Sequence, residues 1–133
     1  MKSVSWIAVA GGLSAVLLAA APGRADPPGA QMFADNCSAC HQPQGQGIPG
    51  AFPALAGDVF VQGPPAQAAG VVLRGRGGMP SFANDLTDDQ ISQILTYVRS
   101  SWGNKAEPVT VAVVADQRAK FKAETGPPSL QAH

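Results

Sequence analysis

The chain has 133 residues, enough for one domain. Nine basic and nine acidic residues give a formal net charge of zero, and without residues 1–25 the balance becomes seven against nine, a net charge of −2. This excludes the strongly basic surface that nucleic-acid binding needs and leaves a mildly acidic chain suited to weak docking on a protein partner.

Residues 1–25 read as a secretory signal peptide. Lys2 supplies the positive start, Val4 to Ala21 an apolar run, and Gly23-Arg24-Ala25 a small-x-Ala cleavage site before Asp26. The uncharged run from Ser3 to Ala21 is close to the ~20 residues of a membrane span, so an uncleaved anchor is the competing reading. Gly11-Gly12 and Pro22 weigh against it. The expectation is export to the periplasm, with residues 26–104 as the main domain, 105–133 as a C-terminal tail and no membrane span after cleavage.

Pro27-Pro28-Gly29 is expected to end a short leader, and Ala30 to Cys37 to form a helix with Phe33 and Cys37 at i and i+4. Residues 42–63 hold five prolines and glycines between Pro43 and Gly50 and three more by Gly63, so a long loop is predicted. Pro64-Pro65 opens a short helix through Ala68, Val71, Val72 and Leu73, closed near Gly75. Asp88 to Trp102 is the clearest helix. Thr87 and Gln90 make a capping box, Leu86 and Ile91 a hydrophobic staple, and Ile91, Ile94, Leu95, Val98 and Trp102 recur at helical spacing as a core stripe. Gly103-Asn104 is the stop. Beyond it, Val109 to Val113 alternates like a strand while Val113 to Lys122 suits a helix, and pattern alone does not separate them.

The chemistry is concentrated at Cys37-Ser38-Ala39-Cys40-His41. Cys-x-x-Cys-His is the attachment signature of a c-type haem. Two thiols add across the two porphyrin vinyl groups and the adjacent imidazole reaches the iron. On a helical turn all three residues share a face, and the chain has no other cysteine. The alternatives are weaker. No strand precedes Cys37 as a thioredoxin-like pair would require. A structural zinc site needs about four ligands, and beyond these three only His133 is another Cys or His. A Cys37–Cys40 disulfide would close a very small loop.

Met79, in Gly77-Gly78-Met79-Pro80, is the expected second axial ligand. A thioether suits low-spin iron and raises its potential, and the flanking residues allow close approach. Met1, Met32 and His133 are poorer candidates by position. Arg74 and Arg76, just before this loop, are candidates for pairing with haem propionates or a partner.

With these motifs in place, the chain resembles the class I cytochrome c family, which is an all-α fold of three to five short helices and long loops around one covalent haem. Gly29, Phe33, Cys37, Cys40, His41, Pro53, Leu55, Met79 and Tyr97 fall at the family's places. The resemblance implies that Pro53 and Leu55 belong to the haem pocket and that the Pro53 carbonyl accepts a hydrogen bond from the His41 ring, fixing its tautomer. A nearer resemblance, over most of residues 29–118, is to haem domains of the cytochrome subunits of periplasmic dehydrogenases. It is carried by Gly47-Ile48-Pro49-Gly50-Ala51-Phe52-Pro53-Ala54-Leu55-Ala56-Gly57, Gly78-Met79-Pro80-Ser81-Phe82 and the run from Leu95 to Asn104. Those subunits commonly hold several haem domains and this chain has one motif, which favours a small carrier.

Other signals are discarded. Gly45-x-Gly47-x-x-Gly50 has no strand before it and Pro49 within it. Arg74-Gly75-Arg76-Gly77-Gly78 occurs once in a slightly acidic chain, and the middle residue of Asn36-Cys37-Ser38 is committed to haem. The resulting expectation is a non-enzymatic carrier of single electrons, with one haem c held by His41 and Met79, meeting a periplasmic dehydrogenase and a terminal acceptor through a small interface. A fixed dehydrogenase subunit and a ligand-binding or peroxidatic haem protein are the alternatives.

Overall fold

A computed structural model describes residues 26–126; the expected signal peptide and His133 lie outside them. The described residues form five helices, α1 Pro28–Asn36, α2 Ser38–His41, α3 Pro65–Arg74, α4 Asp88–Ser100 and α5 Val111–Thr125. Among them there is no strand, only two isolated antiparallel bridges, Ile48–Phe52 and Arg76–Met79.

The frame is the crossing of α1 and α4. Pro28, expected in the leader, instead starts α1, because its fixed φ and missing N–H suit a first helical position. Gly29 sets the crossing distance, since a Cβ there would lie 2.1 Å from the Gln93 carbonyl oxygen and 2.7 Å from Tyr97 Cβ. Four residues on, buried Phe33 packs against Tyr97 and Trp102 with ring centroids 5.8 and 5.0 Å away. Tyr97 and Trp102 complete the triangle edge-on at 5.4 Å, a geometry that aromatic quadrupoles favour.

Helix α4 starts as its sequence dictates. The Gln90 N–H donates to Thr87 Oγ1 (3.2 Å) and the Thr87 N–H to Gln90 Oε1 (2.9 Å). Leu86 and Ile91 are both buried in the core with Ile94, Leu95 and Val98. The helix ends at Ser100, two residues before the expected Trp102. Trp102 itself takes φ +52° and Gly103 φ +87°, so the chain turns at the Trp and swings its ring back over α1.

Behind α4 the alternation at Val109–Val113 does not become a strand. Thr110 Oγ1 accepts from the Val113 N–H at 3.3 Å and caps α5. Residues 105–109 run irregularly along α4, where the Ser92 hydroxyl donates to the Val109 carbonyl at 2.7 Å. Val109 and Val114 are buried, and α5 packs on α3 and α4. Helix α3 opens at Pro65 and closes at Gly75, whose φ is +74°.

Candidate haem-attachment site

The motif sits where α1 gives way to α2. Cys37 breaks the helix at φ −123°, ψ −31°, yet its carbonyl accepts from the Cys40 N–H (3.2 Å) and the His41 N–H (2.9 Å). The i to i+4 turn therefore survives, and Cys37, Cys40 and His41 are all half-buried on it. Gln42, at φ +66°, then reverses the chain.

His41 is oriented from the loop. Its Nδ1 lies 2.9 Å from the Pro53 carbonyl oxygen. A carbonyl only accepts, so Nδ1 donates this bond, and in the neutral ring Nε2 is then the nitrogen that keeps its lone pair. Backbone bonds fix that carbonyl's place: Gly47 N–H to His41 O at 2.9 Å, Leu55 and Ala56 N–H to Gly45 O at 2.7 and 2.9 Å, and reciprocal Ile48–Phe52 bonds at 2.8 Å. Gly47 has φ +62°, and a Cβ there would lie 2.6 Å from the Pro53 carbonyl, so only glycine lets the loop close on the histidine's acceptor. An open cleft of ≈ 320 Å³ borders Phe52, Pro53 and Ala54. Leu55 is half-buried against the core.

Burial, with the Cys40 charge adding to it, pushes the Cys37 thiol up to about 11. A redox dithiol activated by a low thiol pKa requires the opposite shift. Among the described residues no three His, Cys, Asp or Glu side chains converge as ligands of one metal ion. Two half-buried free thiols and an imidazole whose Nδ1 is held by Pro53, spread along one turn, suit covalent attachment of a flat macrocycle better than enclosure of a bare ion.

Met79 is half-buried on a two-glycine turn. Arg76 and Met79 exchange both backbone bonds at 3.1 Å, and the exit is tied to α3 by Phe82 N–H to Val72 O (3.0 Å) and Ser81 Oγ to Leu73 O (2.5 Å). The two arginines before the turn have protein partners. Arg74 makes a forked pair with Glu124 of α5, both bonds 3.0 Å, and Arg76 stacks 4.6 Å from the Phe60 ring centroid.

Two residues escaped the sequence reading. Arg99, 2% exposed, donates to the carbonyls of Glu107 (2.8 Å), Val61 (2.5 Å) and Gly63 (2.8 Å). Burial lowers its pKa, opposed by the Glu107 charge. Asn104, read as a stop, is buried and donates to Leu55 O (3.0 Å) and Val98 O (2.8 Å) while accepting from the Gly57 N–H (2.9 Å). Both lie in the motif-rich run from Leu95 to Asn104. The available signal was a charged residue on the α4 core stripe, Arg99 next to Val98.

Residues 24–98 match the family described as cytochrome c oxidase, cbb3-type, subunit III. The cytochrome c subunit of a quinone alcohol dehydrogenase from Gluconobacter oxydans is 33% identical over 69% of this chain and 22% of its own length. Cytochrome c-552 of Thermus thermophilus is 34% identical over 81% of this chain and 86% of its own. The gluconate 2-dehydrogenase cytochrome c subunit of Pantoea cypripedii is 31% identical over 79% of the chain and 25% of its own length. The chain thus spans about a quarter or less of the dehydrogenase subunits and most of cytochrome c-552.

Proposed function

The chain belongs to the cytochrome c family, which implies one covalent haem c, and we propose that it is a periplasmic carrier of single electrons with His41 and Met79 as axial ligands. Cys37 and Cys40 form the thioethers. When bound, the haem takes up and gives back one electron. The chain's residues suit that role: Pro53 holds the His41 ring by Nδ1, which would leave Nε2 for the iron, and Met79 on its two-glycine turn would supply the second axial ligand, so that a bound haem would have no position left for substrate. The carrying observation is the 2.9 Å contact between His41 Nδ1 and the Pro53 carbonyl beside two free thiols.

The donor is proposed to be a periplasmic dehydrogenase and the acceptor a respiratory terminal component. A fixed place in a dehydrogenase complex is the second reading, supported by the likeness to dehydrogenase subunits; co-purification that survives high salt would favour it. Among the described residues no helix is long and apolar enough to cross a membrane, and export rests on the reading of residues 1–25.

The test is an optical spectrum of the full exported chain, oxidised and reduced, with and without carbon monoxide. A low-spin c-type spectrum with the weak Fe–S charge-transfer band, indifferent to carbon monoxide, is expected. A high-spin spectrum that shifts with carbon monoxide would overturn Met79 as ligand and favour a ligand-binding or peroxidatic protein.

A further inference from the structure

Helix α5 lies beyond the residues 24–98 that the family model matches, and its polar contacts gather on the two stems of the Met79 loop. The leading stem is the end of α3. There Glu124 holds Arg74 in a forked pair, and Gly70 lets α5 come so close that a Cβ would sit 3.3 Å from Gln117 Oε1. The trailing stem is residues 81–88. There Arg118, with a side chain 14% exposed, donates through Nε to Asp88 Oδ1 (2.6 Å), through Nη2 to the Leu86 carbonyl (2.8 Å) and through Nη1 to the Ala83 carbonyl.

We propose that α5 is a clasp for the Met79 loop, with Arg118 as a positioning residue that keeps Met79 on the iron. The proposal rests on the reading of Met79 as axial ligand. Between the stems the loop carries Gly75, Gly77 and Gly78, which leave it many backbone states to lose on ligation. A neutral thioether gains little from charge, so its occupancy of the iron depends on how far the loop is ordered beforehand. Fixing both stems from one helix supplies that order, and a single guanidinium can satisfy two loop carbonyls and the first turn of α4 at once because its donors are planar and rigid.

The experiment uses the haem-loaded full chain and reads the Fe–S charge-transfer band of the ferric form and carbon monoxide uptake by the ferrous form. Arg118→Gln is expected to weaken the band and raise the carbon monoxide-reactive fraction by about tenfold, the factor that loss of one charge-assisted hydrogen bond to the clasped state carries. Arg118→Lys should recover part of the band. Glu124→Gln, which frees only the leading stem, should move both readouts in the same direction by less. Lys120→Gln, on the exposed face of α5, should move neither. Wild-type spectra in both Arg118→Gln and Glu124→Gln would overturn the proposal, and if Arg118→Gln does not accumulate folded, Glu124→Gln decides on the same criterion. A wild-type protein without the band would defeat the ligand assignment instead. The clasp would then be judged by amide hydrogen exchange across residues 79–86, which Arg118→Gln must accelerate and an unchanged rate would refute.

Discussion

The α1–α4 crossing and the loop from Gln42 to Gly63 meet at Trp102 but are held by opposite means. The Trp102 ring packs on Phe33 from one side, and a Cβ on Gly45 would lie 2.4 Å from it on the other. On the crossing side, order comes from burial: Phe33, Ile91, Ile94, Leu95 and Val98 are all under a tenth exposed. On the loop side Ile48 and Phe52 are 40% and 36% exposed, and order comes from backbone bonds and from the side chains of Arg99 and Asn104. A loop ordered in this way keeps its carbonyls in place without needing its apolar side chains inside. The Pro53 acceptor can therefore stand ready beside His41 while Ile48 and Phe52 stay largely exposed and only Val61 and Leu55 anchor the loop to the core.

Substitutions on the two sides should separate these means. Phe33→Ala removes a ring from the aromatic triangle and should cost about 3–5 kcal/mol, read from urea unfolding, with the remaining native protein keeping its haem spectrum. Little change in the midpoint would mean that the crossing is not the stabilising frame. Arg99→Leu should come next, at about 2–4 kcal/mol, since it leaves buried carbonyls of Val61, Gly63 and Glu107 without their donor. Its signature should be local: amide exchange in residues 57–64 rises more than in α1. A uniform rise would mean that the loop and the crossing unfold as one unit and that the contrast is false.

The same contrast explains what could be read from the sequence. The capping box at Thr87 and Gln90, the Pro64-Pro65 start of α3 and the stripe Ile91–Val98 are local patterns, and each folds as its pattern says. Cys37, Cys40 and His41 were legible because attachment chemistry fixes their spacing. The long-range polar bonds were not legible. Nothing in the spacing of Arg99 and Val61, of Asn104 and Leu55, or of Arg74 and Glu124 announces a contact across some forty to fifty residues. Arg74 stands beside the Met79 loop in sequence and also meets α5 in space, a contact its sequence neighbours do not announce. Trp102 matched the helical period yet falls outside the helix, because a positive φ at the Trp lets the ring close the triangle with Phe33 and Tyr97.

A smaller effect is expected at the α4 start. Thr87→Ala removes the acceptor for the Gln90 N–H and should cost about 1 kcal/mol, again by urea unfolding. Gln90→Ala should cost less, because the Thr87 N–H it abandons at the exposed helix start can turn to water. The reverse order would mean that the N3 side chain, and not the Thr87 hydroxyl, carries the cap.

The smallest effect distinguishes α5 from both regions, since its leading contact is an exposed ion pair. Arg74 holds the Glu124 carboxyl below its ordinary value of 4.5, through the hydrogen bond first and the charge second. A carboxylate whose folded pKa is depressed contributes stability that is present above the unfolded value and lost as pH falls through the folded one. The contribution of the pair should therefore be complete above about pH 4.5 and should fade at more acidic pH. Solvent and salt screen a contact this exposed, so the change should be slight and should shrink further at high ionic strength. Glu124→Gln should remove the part of the acid limb that belongs to the α3–α5 pair, while Asp116→Asn should leave that part and remove only the separate share that Lys120 gives Asp116 within α5. Equal acid limbs in wild type and Glu124→Gln, measured by urea unfolding between neutral and acidic pH, would show that the forked pair adds nothing to the docking of α5. Arg118 and the buried Val109 and Val114 would then hold the helix alone.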